Sequence, residues 1–270
     1  MTSQTPAAMP DVQAMDDRRK IAIDKVGVKA VTYPIILRTP EGGAQTTVAN
    51  INMYVSLPHC QKGTHMSRFL EVLNEHNSEP VHPEDIPTIA RVIKERLEAE
   101  DAYLELEFTY FIRKQAPVTK MSGLMDYRVT FAVHSNSHDD FVMGVRAPAT
   151  SLCPCSKEIS DRGAHNQRCE IEARVRFKGS LWIEDLARMI EKSASTEVFA
   201  VLKRPDEKFV TEQAYDNPKF VEDIVRDLAM RLDADERILQ YTITSENFES
   251  IHNHSAYAQI SRDKRSPGGA

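Results

Sequence analysis

Cysteine is scarce in this chain: four in 270 residues. That is too few for a disulfide framework, so reduced thiols and a cytoplasmic location are expected. Positive charge is not in excess either. Thirty-four Lys and Arg against 40 Asp and Glu leave a net charge of -6, which offers no electrostatic footprint for nucleic acid or an anionic membrane. No apolar run reaches a membrane-spanning length. The stretch from Met1 to Asp17, rich in Pro, Ala and Gln, lacks the basic start and apolar core of a signal peptide. What remains, 41% hydrophobic and 27% charged, suits a soluble globular protein of one large or two small domains. Residues 1–20 and 262–270 read as disordered.

Between those ends the pattern is strand-rich. Residues 26–38, rich in Val and Ile and carrying Tyr33-Pro34, read as an edge or bulged strand. Residues 46–57 alternate as a second, so with the turn Glu41-Gly42-Gly43 between them the two predict a hairpin. A helix is expected through 67–73 and a second from about 82 to 100, where Ile86, Ile89, Ile93 and Leu97 recur at spacings of three and four. Strands over 102–114 and 124–134 close a first unit, 21–138. A second unit, 139–261, follows the same order: strands at 140–149 and 169–177, a helix over 181–193, a loop over 203–217, a helix starting at Asn217-Pro218 and running to 232, then strands at 237–247 and 255–261. This is a repeat of structure without a repeat of residues. The fold class is therefore α+β: two antiparallel four-stranded sheets, each backed by two helices. Such sheets leave edges, which joining within and between chains would remove, so a barrel-like homo-oligomer is expected, with site residues drawn from more than one chain.

The chemistry concentrates in SLCPCSKEIS (151–160) and the following GAHNQR (163–168). Pro154 suits the first position of a helix, whose N-terminal field favours a thiolate at Cys153. His165 follows twelve residues after Cys153 on a loop able to fold back over that turn, and thiolate plus imidazole suits a borderline-soft metal. The bland alternative is a pair of buried small thiols, since Cys-x-Cys is a weak metal motif.

With KGTHMSRF (62–69), RPDEKFVTEQAYDNPKFVED (204–223) and ENFESIHNHSAYA (246–258) added in this order, the chain resembles the type IB GTP cyclohydrolase I family of the tunnelling-fold superfamily. The resemblance implies tandem tunnelling-fold (T-fold) units assembled into a homotetramer. It implies hydrolysis of GTP to formate and 7,8-dihydroneopterin triphosphate, feeding folate (tetrahydrofolate) or deazaguanine (queuosine) pathways, with a metal-activated water attacking C8 of the guanine.

Carried over by position, Cys153, His165 and Glu207 are the implied ligands of one divalent metal per site, with zinc, manganese or iron all tenable. Cys155 is an alternative ligand, or a thiol that pairs reversibly with its neighbour. Glu222 is the implied guanine anchor; its bland alternative is an i,i+4 pair with Arg226. His252 is the implied general acid/base, with Glu249 orienting it or approaching the metal, and His254 sharing its face of an alternating strand. Lys62, His65 and Arg68 are candidate substrate-binding residues, Lys62 and Arg68 for the triphosphate, with Lys157 and Arg204 similar candidates nearer the metal loop. A rival from the same superfamily is the NADPH-dependent nitrile reductase acting on a 7-deazaguanine, which needs no metal. A non-enzymatic rival is a metal-braced oligomer.

Overall fold

A computed structural model of the chain describes residues 11–76 and 78–266. The described residues form a nine-stranded antiparallel sheet with six α-helices. The strands are β1 (Ile23–Arg38), β2 (Ala44–Leu57), β3 (Ala102–Gln115), β4 (Ser122–Ser135), β5 (Asp139–Leu152), β6 (Asn166–Phe177), the two-residue β7 (Thr196–Glu197), β8 (Ile238–Asn247) and β9 (Ala256–Asp263). The helices are α1 (Met66–Glu75), α2 (Ile86–Arg96), α3 (Pro154–Ile159), α4 (Ile183–Glu191), α5 (Arg204–Asp216) and α6 (Val221–Ala234).

Eight strands follow one another across the sheet in chain order, and β7 adds a short pairing to β5. The two expected four-stranded sheets are thus one continuous sheet, joined where β4 pairs β5 from Arg128↔Arg146 to Ser135↔Asp139. The period-2 pattern decides which face is covered. Leu104, Leu106 and Phe108 on β3, Val129, Phe131 and Val133 on β4, and Met143, Val145 and Ala147 on β5 are buried, and α2, α4 and α6 lie over the sheet. The opposite face is polar: Asn52 Nδ2 donates to Glu105 (3.0 Å) and Arg146 to Glu172 (2.8 Å). Across the β4–β5 seam runs a row of edge-to-face aromatics, Phe108–Phe131 (5.1 Å), Phe131–Phe141 (5.6 Å) and Phe141–Phe177 (5.7 Å). Each pair contributes about 0.5–1.5 kcal/mol beyond its buried area.

Four expectations need correction. Residues 203–217 are not a loop: α5 fills most of that span. The next helix begins at Val221 rather than at Asn217-Pro218, because the Asn217 amide donates to Ala194 O and Ser195 O instead of capping, while Asp223 accepts Phe220 N (2.9 Å). The second helix stops at Arg96, where Glu98 turns to φ 53°. Disorder at the ends does not extend to 11–20 or 262–266. Asp17 N donates to Cys60 O and Lys62 N to Met15 O, and Lys264 Nζ donates to the carbonyls of Leu232, Asp233 and Asp235 behind α6. The expectation for residues 1–10 and 267–270 lies outside the described residues.

Candidate active site

The site is built by the period-2 geometry of three strand ends. On β5 and β6, Ser151 stands opposite Gln167. Two residues further out along each chain come Cys153 and His165, linked by Cys153 N donating to His165 O (3.1 Å). Residues two apart point to one side of a strand, so the Cys153/His165 pair sits just beyond a Ser151/Gln167 pair. Asn247, the last residue of β8, and Glu249 just beyond it repeat the spacing. Ser151, Gln167 and Asn247 are buried, a polar floor at the end of an otherwise apolar face, with Cys153, His165 and Glu249 half-buried above it.

The expected helix after Cys153 is α3. Cys153 is its N-cap, and Ser156 N donates to Cys153 Sγ at 3.5 Å. Ser156 Oγ closes the loop by donating to Cys153 O (3.1 Å) and accepting His165 N (3.2 Å). Cys155 is exposed on α3. Cys169 is the inert thiol of the set, its pKa pushed up to about 12 by burial.

The floor is joined by a saturated hydroxyl. Ser151 Oγ donates to Lys219 O (2.9 Å) and accepts from Asn247 Nδ2 (3.0 Å) and Gln167 Nε2 (3.5 Å). Lys219 N also donates to Leu152 O (3.0 Å), so the approach to α6, which carries Glu222, is tied to the strand that carries Cys153. Glu222 is exposed in the first turn of α6. The i,i+4 alternative is not formed: Arg226 lies 3.8 Å from Asp223 instead.

Glu207 lies exposed in the first turn of α5, and that helix is anchored by its neighbour, Asp206, a residue the sequence reading passed over. Asp206 is fully buried and accepts from Val118 N (2.9 Å), Thr119 N (2.9 Å), Thr119 Oγ1 (2.6 Å) and Lys203 N (2.9 Å). Burial alone raises its carboxyl, but these donors outweigh it and hold the group well below its ordinary value of 3.8. A carboxyl depressed in the folded state stabilises the fold above the unfolded-chain value and loses that contribution as pH falls. Asp206→Asn is therefore expected to be less stable than wild type by a constant margin above pH 3.8, the margin shrinking below it. Urea unfolding across that range checks this, and a margin that grew on acidification would contradict it.

His252 and His254 are exposed in the irregular connection between β8 and β9 rather than in a strand. Their rings still stack, 5.2 Å apart. Lys157 donates to Tyr215 O (2.5 Å) and lies over the Tyr215 ring (4.2 Å), which binds it to the C-terminal end of α5. Glu249 accepts from Gln167 Nε2 at 3.5 Å.

The structure separates Lys62, His65 and Arg68 from this group. The chain leaves β2 for their loop at the edge where Val55 pairs Ala102, Ala102 pairs Ser135 and Ser135 pairs Asp139. Cys153 follows Leu152 at the far end of β5, roughly 40 Å away at about 3.3 Å per residue. There His65 Nε2 meets Asp11 (3.2 Å) and Arg68 donates to Arg96 O (3.3 Å); Lys62 is exposed.

Among the described residues no three His, Cys, Asp or Glu side chains are gathered closely enough to hold a metal. The donors at the strand ends nonetheless suit a divalent ion by chemistry. Cys153 offers a half-buried sulfur at a helix start, and His165 engages neighbours through Nδ1, leaving Nε2 available as a ligand nitrogen.

Two solved structures share the architecture. A uricase from Bacillus fastidious superposes with a TM-score of 0.54 at 8% identity, over 90% of this chain and 94% of that one. A hyperthermostable R298C mutant of Bacillus sp. TB-90 urate oxidase gives 0.51 at 9% identity, over 90% and 99%. The chain has the fold of the urate oxidases, a mixed α/β architecture on one antiparallel sheet. Family membership is narrower. The model for type I GTP cyclohydrolase FolE2 matches residues 9–258. The GTP cyclohydrolase FolE2 of Azoarcus sp. (strain BH72) is 54% identical over 98% of this chain and 99% of its own length, and that of Magnetococcus marinus is 55% identical over 96% and 97%. The chain belongs to the type I GTP cyclohydrolase FolE2 family.

Proposed function

We infer that this chain is a GTP cyclohydrolase I of subtype IB, converting GTP and water to formate and 7,8-dihydroneopterin triphosphate at the end of the sheet that carries Cys153. The observation that carries the reading is the convergence of Cys153, His165 and Glu249 from three strand ends over one buried polar floor, in a chain of this family. Cys153, His165 and Glu207 would hold a divalent metal; zinc, manganese and iron each suit a donor set of sulfur, nitrogen and oxygen. When bound, the metal supplies a water that is nucleophilic near neutral pH.

The side chains do the rest. Glu222 accepts two N–H groups of the guanine edge and orients C8 toward the metal end. His252 moves protons at the imidazole nitrogens of the guanine as the ring opens, since an imidazole ring can both donate and accept. Glu249 orients His252, and His254 stacks against its ring. Residues 21–138 and 139–261 are tandem tunnelling-fold units. Their outer edges, β1 and β9, are closed by other copies in a homotetramer. Lys62, His65 and Arg68 lie too far from Cys153 to share its substrate within one chain, which supports a site closed by two copies, with Lys62 and Arg68 holding the triphosphate. The product feeds folate or deazaguanine synthesis. We place the enzyme in the cytoplasm on its few cysteines; no helix among the described residues is long and apolar enough to cross a membrane.

The test uses chelator-stripped protein given GTP with and without zinc or manganese, following formate release and pterin fluorescence, with Cys153→Ala as control. Turnover restored by metal in the wild type and lost in the variant, together with loss of bound metal, is expected. No formate with any metal from correctly assembled protein would overturn the hydrolase reading and make NADPH oxidation with a 7-deazaguanine nitrile the next assay.

A further inference from the structure

We propose that Gln167 is a positioning residue that locks His165 in the tautomer protonated on Nδ1, so that Nε2 carries the lone pair toward the metal. This rests on the reading of His165 as a ligand. Gln167 is buried, and its Oε1 lies 3.0 Å from His165 Nδ1. The same side chain turns Nε2 toward Ser151 Oγ and Glu249 Oε1, each at 3.5 Å.

Two independent constraints orient that amide. The single proton of Ser151 Oγ goes to Lys219 O, so toward Gln167 the hydroxyl accepts, which requires the NH2 group there. Glu249 presents a carboxylate oxygen, which also accepts. A flipped amide would set its carbonyl oxygen against both. With Nε2 so committed, Oε1 faces His165, and Nδ1 must be the donor. Ser250 Oγ, 3.3 Å from the same nitrogen, completes the shell by accepting alongside Oε1.

A neutral imidazole protonated on Nδ1 has its free pair on Nε2. An outer partner of this kind fixes the ring of a metal-bound histidine, and its loss typically costs 10–100-fold in metal affinity. Ser151 thereby links the two strands that lead to Cys153 and His165 to the approach to α6, and the amide continues the link to Glu249 beyond the end of β8.

The experiment labels histidine with 15N and reads the ring nitrogens of His165 in metal-free protein, alongside zinc affinity from competition with a chelator. Two variants are compared with wild type. Gln167→Met keeps an unbranched side chain of similar size without the carbonyl, and Gln167→Glu keeps an acceptor toward Nδ1. In wild type and Gln167→Glu, His165 is expected to be protonated on Nδ1 when neutral. In Gln167→Met it should shift to the Nε2-protonated form and bind zinc about 10–100-fold more weakly, whereas Gln167→Glu, which loses the donor toward Ser151 and Glu249, keeps the Nδ1 tautomer.

An Nε2-protonated His165 in wild type, or an unchanged tautomer in Gln167→Met, overturns the proposal. So does a shifted tautomer with undiminished zinc affinity. Wild type that shows the Nδ1 tautomer but binds no zinc would overturn the ligand reading, and with it the metal-facing purpose of the lock, while leaving the hydrogen-bond assignment standing.

Discussion

Glu222→Ala is expected to lower kcat/KM for GTP by about 10²–10⁴-fold while leaving folding and metal content unchanged. The magnitude follows from two hydrogen bonds to a charged acceptor, each about 1.5–3 kcal/mol, at about 1.4 kcal/mol per factor of ten. The fold should not notice the change, because Glu222 is exposed and Arg226 leans toward Asp223 instead. Its favourable position in the first turn of α6 is worth only a few tenths of a kcal/mol to about 1 kcal/mol. Glu222→Gln should be nearly as damaging as alanine, since an amide turns a donor toward a donor. Steady-state kinetics on the two variants, with metal content measured in parallel, decides the matter. A loss below tenfold in both would remove Glu222 from the guanine site.

Lys114→Met is expected to cost about 3–5 kcal/mol of stability, the usual result of removing one partner from a buried ion pair. Lys114 reaches from β3 into the second half of the chain. It donates to Glu191 (2.7 Å) and Val198 O (3.1 Å), pairs with Glu197 (2.7 Å) and sits over the Phe199 ring at 4.4 Å. The Tyr127 hydroxyl donates to the same Glu191 oxygen at 2.7 Å. Burial pushes the Glu191 carboxyl above its ordinary 4.5, and Lys114 and Tyr127 only partly offset that. A carboxyl raised in the folded state stabilises the fold below the unfolded-chain value and loses that contribution as pH rises. Removing the ammonium raises it further, so the deficit of Lys114→Met should widen as pH climbs above 4.5. For a chain of this size about 3–5 kcal/mol lowers Tm by roughly 6–20 °C. Thermal and urea unfolding at several pH values tests both points. A deficit under about 1 kcal/mol with no pH dependence would show that the network is not coupled to folding. Lys114→Met/Glu191→Gln should regain part of the loss, because the amide oxygen still accepts from Tyr127.

Strands and apolar helices were legible because their burial follows simple periods: β3 and β4 alternate, and α2 and α4 show residues every three or four positions. α5 was not legible, since Asp206 and Ala214 are its only buried residues. Its anchor is a carboxylate reaching back to the β3–β4 turn, a contact that local periodicity does not encode. The start of α6 was misplaced for a related reason: Asn217 has the chemistry of a cap but is used on Ala194 and Ser195. At the site, the loop from Cys153 to His165 could be anticipated from Pro154 and the glycine that follows. The roles of Ser151, Gln167 and Asn247 could not, although each precedes or follows a singled-out residue by two positions. A polar residue at i±2 from a candidate ligand at a strand end was the signal available.

The seam between β4 and β5 also bears on how the chain comes apart. The aromatic row crosses it without a break, and Lys114 bridges it from β3 to the end of α4. Two halves so joined do not behave as beads on a string. Neither half can be removed without exposing apolar surface of the other, since Phe131 and Phe141 pack across the seam. The Lys114 network also touches the strand that leads to the thiol, because Glu197, its partner, pairs on β7 with Ala149 of β5, four residues before Cys153.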